Sequence, residues 1–141
     1  MVDLKKYRIL SRSSDLLIKV FGGTQAELFA NAAFALFDLI TDIETIEVRE
    51  RLPLEVEGVN RDDLMVNWMR ELLYLYQGSG YLLKEVRVHE AREDYVRGEV
   101  CGEKFDPDRH EIQRDIRAVA YHQSRMDKTG DQWTAQVNFE L

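Results

Sequence analysis

Residues 102–122 read GEKFDPDRHEIQRDIRAVAYH. The first part, residues 105–110, is an acidic loop that Pro107 stiffens, because the proline ring fixes the φ angle. The second part, residues 115–122, alternates apolar and polar side chains and predicts a half-buried strand. The chain ends at residues 139–141 as Phe-Glu-Leu, so the terminal carboxylate directly follows a residue with a side-chain carboxylate. Acidic groups therefore gather both in the loop and at the end of the chain.

The composition indicates one globular domain. A chain of 141 residues has the size of a single domain, and 45% hydrophobic residues are enough for a core. The net charge of −7 argues against direct binding of nucleic acid, because phosphates are neutralised by clustered Lys and Arg. The single cysteine, Cys101, excludes an internal disulfide. We therefore expect one domain over residues 1–141 with no direct nucleic-acid contact.

The sequence also predicts where the protein works. No run of about 18 apolar residues is present, so no membrane-spanning helix is expected. Residues 1–6 contain no apolar run typical of a signal peptide. Both observations favour a soluble protein of the cytoplasm.

Two segments carry the signals of buried helices. Thr24 and Glu27 form a capping box that begins a helix running to about residue 40. Asn60 can cap a second helix that stops near residues 78–80. Both helices are apolar nearly all round, which is typical of helices covered on more than one side. They are therefore predicted to form a layer between other elements.

The remaining segments predict strands. Residues 8–21 carry two short strands broken near residues 11–14, and Pro53 indicates that the strand around it lies at a sheet edge. The order of strands and helices predicts an α+β fold with the helices between β-sheets. The other predicted strands are residues 46–48 and 52–56, a hairpin of 84–90 with 95–103, and a hairpin of 116–126 with 133–141.

Three acidic groups could lie together at one end of a sheet. Adjacent strand ends can bring Asp15 close to Glu140 and to the carboxylate of Leu141. Clustered carboxylates repel one another unless a cation bridges them, and Ca²⁺ and Mg²⁺ prefer oxygen ligands. The alternative is that Asp15 only caps a turn and that the terminus is frayed. The sequence is compatible with both interpretations.

The loop at residues 106–110 also allows two interpretations. Loops often carry recognition or catalysis, so its acidic residues and His110 are candidates. The alternative is a surface turn in which Asp106 bonds its own backbone and Pro107 sets φ. The spacing of the histidines does not match a zinc site; His89 is expected to point outward, and His122 could be a core histidine. Cys101 is expected to be a small core residue.

The chain resembles the archease family over nearly its whole length. The motif G-E-K-F-D-P-x-R-H, followed by a strand that ends A-V-x-Y-H, is the most specific part of that resemblance. It implies a three-layer sandwich with two helices between β-sheets. The segments that carry the resemblance are residues 10–18, 31–42, 68–75, 102–110 and 118–122.

The resemblance also implies a function. Archeases are auxiliary factors of RtcB-type RNA ligases and are not enzymes themselves. A member would promote GTP-dependent guanylylation of the ligase and its multiple turnover in tRNA splicing and RNA repair. The implied metal site is an acidic tip that holds a divalent cation, Ca²⁺ or Mg²⁺/Mn²⁺, on Asp15, Glu140 and the main-chain oxygens of Leu141. The residues expected to help dock on the ligase are Asp106, Asp108, Arg109 and His110.

This chain departs from the family pattern at the tip. The family motif H-T-A-D is replaced by residues 12–15, which read Arg-Ser-Ser-Asp, and the penultimate Asp is replaced by Glu140. A positive Arg12 could pair with Asp15 and compete with a cation. The longer side chain of Glu140 moves its carboxylate outward by about 1 Å or more, the length of the extra methylene step.

Two other functions remain open at this stage. The first is a chaperone-like scaffold for a nucleic-acid enzyme that needs no metal. The second is a hydrolase that would use Asp106, Asp108 and His110, although the sequence offers no activated nucleophile beside them.

Overall fold

Two α-helices and seven strands make up residues 6–141, the part of the chain that the computed structural model describes. The prediction that the chain has no signal peptide rests on residues 1–6, and residues 1–5 lie outside the described residues. No helix within residues 6–141 is long and apolar enough to cross a membrane. The elements are β1 (Tyr7–Arg12), β2 (Asp15–Gly22), α1 (Gln25–Ile40), β3 (Glu50–Glu57), α2 (Arg61–Ser79), β4 (Tyr81–Ala91), β5 (Tyr95–Lys104), β6 (Ala118–Thr129) and β7 (Gln132–Glu140).

The strands form two antiparallel sheets with the helices between them. The first sheet has the order β1-β2-β7-β6 and the second has the order β3-β5-β4. Helix α1 contacts β2 of the first sheet and β4 of the second, and α2 contacts β6 and β3 in the same way. The predicted α+β sandwich is confirmed, and Pro53 does lie in an edge strand.

Capping groups fix where both helices begin. The Thr24 side chain accepts a hydrogen bond of 3.0 Å from the amide of Glu27, and the Asn60 side chain accepts one of 2.9 Å from the amide of Asp63. Helix α2 ends at Gly80, which adopts a left-handed conformation with φ of 73°. The predicted helix starts and the predicted end near residue 80 are confirmed.

The core lies on both faces of the helix layer. Trp68 of α2 is fully buried; its ring packs edge-to-face on Phe29 of α1, with 5.7 Å between the ring centroids. Its Nε1 donates a hydrogen bond of 3.0 Å to the Phe29 carbonyl. The contact between Trp68 and Phe29 joins the two helices, and each helix also covers a sheet. Cys101 is buried in β5, in agreement with its expected place in the core.

Two predicted strand boundaries are wrong for identifiable reasons. Residues 46–48 are not a strand, because the amide of Glu47 donates to the Glu103 carboxylate at 2.6 Å instead of joining a ladder. Strand β6 begins at Ala118 and not at residue 115 or 116, since Gln77 of α2 donates to the carbonyls of residues 116 and 117. Tertiary hydrogen bonds have replaced strand pairing in both segments.

Substitution of Gly102 tests the tight packing at the central strand β5. A Cβ atom at Gly102 would lie 2.0 Å from the carbonyl oxygen of Leu82 on β4. We expect Gly102→Ala to lower the free energy of unfolding by about 2–4 kcal/mol, because backbone must move to make room. Gly23→Ala is the control, since only the end of the Glu27 side chain lies near its Cβ, at 3.4 Å. Chemical denaturation measures both, and equal effects would contradict this packing.

Candidate cation site

The pairing of β2 with β7 brings two predicted site residues together. Asp15, the first residue of β2, is the cross-strand partner of Glu140, the last residue of β7. Glu140 also pairs with Ala118 of β6, and its carbonyl accepts a hydrogen bond of 2.8 Å from the Arg117 amide. The end of β7 is therefore held on both sides, and Leu141 follows it directly.

The alternation of β7 and β2 decides which side chains face outward at this end. Leu16 and Phe139 pair with each other and are buried against the helices. Asp15 and Glu140, one position further along each strand, consequently lie on the opposite face of the sheet. Asp15 is half-buried there, whereas Glu140 and Leu141 are exposed. The two carboxylates and the main-chain oxygens of Leu141 thus belong to one corner of the first sheet.

Asn138 is a buried polar residue on the same face of β7, and it is not among the predicted site residues. It is 1% exposed. Its Nδ2 donates a hydrogen bond of 3.1 Å to the carbonyl of His122 and makes a longer contact of 3.5 Å with Oδ2 of Asp15. Its Oδ1 is buried and has no hydrogen-bond partner within residues 6–141. The sequence signal that could have identified Asn138 is its polar side chain, two positions before Glu140 at a strand end that is otherwise apolar.

A large bulge in β6 covers Asn138. Ala120 pairs with Asn138 and Arg125 pairs with Gln136, so residues 121–124 stand opposite the single residue Val137. We call residues 121–124 the β6 bulge. Within it Gln123 has a φ of 62°, which is uncommon for a residue with a side chain. His122 is exposed at this bulge, so its predicted place in the core is wrong.

Helix α2 and strand β7 hold the β6 bulge in place. Arg70 donates from Nε and Nη2 to the Val119 carbonyl at 3.0 and 2.9 Å, and its guanidinium lies 4.6 Å from the centre of the Tyr121 ring. The Tyr121 hydroxyl hydrogen-bonds to Asp63 near the start of the same helix. From β7, Gln136 Nε2 donates 2.8 Å to the Gln123 carbonyl. The bulge is therefore a fixed feature and not a loose loop.

The register also separates Arg12 from the acids. Arg12 pairs with Leu16, whose side chain faces the core, so Arg12 and Asp15 start on opposite faces of the sheet. Burial and the Asp38 carboxylate raise the pKa of the Tyr7 hydroxyl, and the charges of Arg114 and Arg12 oppose that rise. The expected pairing of Arg12 with Asp15 is thus not favoured by the fold.

The acidic loop is organised around the buried carboxylate of Glu103. This side chain accepts hydrogen bonds from the Glu47 amide and from Arg109, and one oxygen lies 3.1 Å from Nε2 of His110. The Asp106 amide donates to Nδ1 of His110 at 2.9 Å. Because Nδ1 accepts, Nε2 carries the proton and donates to Glu103.

The carboxylate of Glu103 is stabilised in its charged form. Burial alone would raise its pKa, but the hydrogen bonds from the Glu47 amide, Arg109 and His110 outweigh burial and hold the pKa below its usual value. A charged Glu103 fastens the loop to the end of β5 and to the segment before β3.

The predicted docking residues of the loop differ in how far they are exposed to solvent. His110 has a fully buried side chain, so it cannot meet a substrate, and the hydrolase interpretation does not fit. Arg109 is directed at Glu103, and Asp106 accepts a hydrogen bond from the Asp108 amide. Asp108 is exposed. Docking through this loop stays a prediction, and it would rest on the exposed Asp108 and on the partly exposed Asp106 and Arg109.

A divalent cation at the corner would need donors other than acidic side chains alone. Within the described residues, no three His, Cys, Asp or Glu side chains form a group that could hold a metal ion. The corner supplies two carboxylates and the main-chain oxygens of Leu141. The amide of Asn138, whose Oδ1 is unpaired among the described residues, lies beside them, with Nδ2 3.5 Å from Oδ2 of Asp15. An orphaned buried oxygen beside carboxylates is the donor chemistry that a hard cation prefers, so the residues fit such an ion.

The arrangement of the chain matches one group of known proteins. A two-helix, two-sheet sandwich of this topology is found in the solution structure of Methanobacterium thermoautotrophicum protein 1598, with a TM-score of 0.82, 24% identity and coverage of 98% of this chain and 100% of that one. A second neighbour is a Thermotoga maritima crystal structure described as an archease, possible chaperone, with a TM-score of 0.61, 14% identity and 94% coverage of both chains. At these identities the two structures establish the fold.

Sequence comparison identifies the family. The model of the Archease protein family (MTH1598/TM1083) matches residues 7–141. Proteins named archease are similar along their full length: that of Methanopyrus kandleri is 32% identical over 135 residues, covering 94% of this chain and 96% of the relative. That of Pyrococcus furiosus is 32% identical over 138 residues, covering 95% and 97%. The chain belongs to the archease family, and the resemblance seen in its sequence is confirmed.

The loop network predicts a pH-dependent stability. Because the folded pKa of Glu103 lies below its ordinary value of 4.5, its contribution is complete above that pH and is lost as the pH falls through the folded pKa. We expect Glu103→Gln to cost about 2–4 kcal/mol at pH 7, as for a broken buried ion pair, and to cost progressively less below about pH 4.5. Denaturation at several pH values measures the difference.

Glu47→Gln is the matched control for that measurement. Glu47 contacts the same Arg109 but its side chain is 59% exposed, so we expect a change below about 1 kcal/mol with little pH dependence. Equal losses for Glu47→Gln and Glu103→Gln would contradict a central role for Glu103.

Proposed function

We propose that this protein is a non-catalytic activator of an RtcB-type RNA ligase. It promotes GTP-dependent guanylylation of the ligase and multiple turnover in tRNA splicing and RNA repair. Family membership supports the auxiliary role, and the observation that carries the mechanism is the pairing of Asp15 with Glu140 beside Leu141 at an exposed corner. That corner presents oxygen donors at the surface, where a partner can reach them.

Each residue of the acidic corner has a distinct part in the proposed mechanism. Asp15 is half-buried and fixed by its position at the start of β2, so it would orient the ion. Glu140 is exposed and longer, so it can close over an ion from outside. Leu141 would contribute main-chain oxygens. The divalent ion would supply positive charge near phosphate groups, which is how such ions assist nucleotidyl transfer.

Charge supports the choice of partner. The protein carries a net charge of −7, whereas an enzyme that binds RNA needs a basic surface. Opposite charges accelerate encounter and orient the partners, and added salt weakens both effects. We therefore expect the acidic corner to face a basic region around the ligase active site.

A chaperone-like scaffold is the second candidate function. The exposed apolar side chains that a client protein could contact include Val59, which is 86% exposed, and Tyr74, which is 68% exposed. The Thermotoga maritima neighbour is itself described as a possible chaperone. Such a scaffold would not need the acids, so neutralising Asp15 and Glu140 would leave its effect unchanged.

The double variant Asp15→Ala/Glu140→Ala tests the proposed mechanism. We expect it to lose at least about 10-fold of the acceleration of ligase guanylylation, a loss that corresponds to roughly 1.4 kcal/mol of barrier. Single-turnover kinetics with GTP and Mn²⁺ or Mg²⁺ measure the rate with and without the protein.

Asp131→Ala is the control for the acidic corner. Asp131 is an exposed acid at the β6–β7 turn, at the opposite end of the same sheet, so the variant removes charge away from the corner. It should keep the acceleration. Full acceleration in the double variant would favour the scaffold, and no acceleration by the wild type would refute a role as activator.

A further inference from the structure

The unpaired Oδ1 of Asn138 is not explained by the fold. Asn138 is 1% exposed, and its main-chain N–H donates a hydrogen bond of 3.1 Å to the Ser124 hydroxyl oxygen. In the described part of the chain, only the Nδ2 end of its side chain has partners. A leucine would fill such a place without leaving a buried acceptor unsatisfied, and an orphaned buried acceptor destabilises a protein. Its presence beside Asp15 therefore points to a second state in which Oδ1 is used.

The partners of Nδ2 show what that second state is. Nδ2 lies 3.1 Å from the carbonyl oxygen of His122 and 3.5 Å from Oδ2 of Asp15. Two oxygen acceptors thus converge on one N–H donor group. In this state the two acceptor oxygens face the partial positive charge of the amide hydrogens, which takes the place that a bound cation would have.

Rotation of the amide exchanges its two ends. The terminal torsion of Asn is broad and roughly two-fold, and its oxygen and nitrogen have nearly the same size. After a half-turn, Oδ1 stands where Nδ2 stood, close to two other oxygens, and Nδ2 takes the place in which Oδ1 has no partner. The turned state leaves the NH₂ donors unpaired, so it is favoured only when a cation binds the converging oxygens. Three converging oxygens repel one another without a cation and attract one when it is present.

The oxygen spacing suits a calcium-sized ion. Ca²⁺ binds oxygens at about 2.3–2.6 Å, so two ligands at right angles around it are roughly 3.4 Å apart. The distances of 3.1 and 3.5 Å at Asn138 bracket that spacing. Asn side-chain oxygens and backbone carbonyls are ordinary ligands of Ca²⁺, which takes six to eight of them.

We propose that Asn138 is a switchable ligand of the cation site: its amide turns over when the ion binds, and Oδ1 joins Asp15 and the His122 carbonyl as a donor. This inference rests on the proposed cation site at Asp15, Glu140 and Leu141, and it adds two donors that are neutral. Neutral donors raise the coordination number without adding charge. They therefore favour Ca²⁺ over Mg²⁺, which keeps bound waters and needs fewer protein ligands.

The β6 bulge is the device that presents the His122 carbonyl. A regular strand would pair this stretch with β7, whereas the bulge sets residues 121–124 opposite one residue and turns the carbonyl of His122 onto Asn138. The left-handed conformation of Gln123 belongs to the same turn of the chain. Such local strain is characteristic of sites where the backbone must take a particular course.

A purely structural role for Asn138 is the competing explanation. Asn138 would then only tie the bulge to β7, as Gln136 does through its hydrogen bond to the Gln123 carbonyl. Gln136 lies two residues earlier on the same face of β7, further from Asp15 along the ladder. It therefore provides a matched control, since its loss disturbs the bulge without removing a donor at the acidic corner.

Calorimetric titration with Ca²⁺ and Mg²⁺ tests the inference on the full chain. We expect Asn138→Leu to weaken Ca²⁺ binding at least about 10-fold, equivalent to roughly 1.4 kcal/mol, and Mg²⁺ binding less. Asn138→Asp should strengthen Ca²⁺ binding, because it puts a carboxylate where the rotated Oδ1 would stand. Gln136→Leu should stay within about two-fold of the wild type for both ions.

A measurement on the wild-type protein avoids any effect that a substitution has on folding. The Asn138 side-chain NH₂ resonances should shift on saturation with Ca²⁺ by nuclear magnetic resonance, because their two acceptors are lost when the amide turns. The Gln136 side-chain resonances should shift less.

Three results would overturn the inference. The first is equal Ca²⁺ affinity of Asn138→Leu and the wild type, and the second is an unmoved Asn138 amide at saturating Ca²⁺; both leave the proposed acidic corner intact. The third is no cation binding by the wild type, which removes the ion from this corner altogether. In that case loss of ligase acceleration in Asp15→Ala/Glu140→Ala would still support the activator role.

Discussion

The antiparallel register of β2 with β7 is the constraint on which the acidic corner depends. Eight successive pairs join the two strands, from Asp15 with Glu140 to Gly22 with Trp133. Because side chains alternate between faces, a slip of one residue would turn Leu16 and its apolar neighbours out of the core. Burial of the core face thus fixes the position of both acids, although neither acid contributes to that burial. The site is a consequence of hydrophobic packing on the other side of the same strands.

The loop after β5 links the two sheets and completes the corner. It is anchored at one end by the buried charge of Glu103, and at the other end the amide of Arg117 donates to the Glu140 carbonyl. Between these points the Thr41 hydroxyl, just after α1, donates to the carbonyl of Glu111 at 2.7 Å. The loop therefore connects its anchor at Glu103 to the end of β7.

Local signals explain which features the sequence could predict. Thr24 and Asn60 cap helices through bonds within three residues, so both helix starts could be predicted. Asp15 and Glu140 were predicted to meet because they lie at strand ends that can be adjacent in one sheet, and the register pairs them. The strand predicted at residues 46–48 failed because Glu103, distant in sequence, takes the Glu47 amide. The β6 bulge and the burial of Asn138 beneath it were missed because periodicity assumes one residue opposite each partner, whereas four residues here oppose one.

Glu140 stands where the family resemblance implies an Asp, and this difference would change how a site at this corner works. Asp15 is half-buried beside Asn138, whereas Glu140 is exposed and has an additional rotatable bond. Ordering a longer exposed side chain costs conformational entropy, which weakens binding unless other donors are already in place. The His122 carbonyl is held by the bulge, and Asn138 is buried with its main-chain N–H bonded to Ser124, so both would lose little freedom on binding an ion. A rigid inner half built from Asp15, Asn138 and the bulge would therefore offset the mobility of the outer carboxylate.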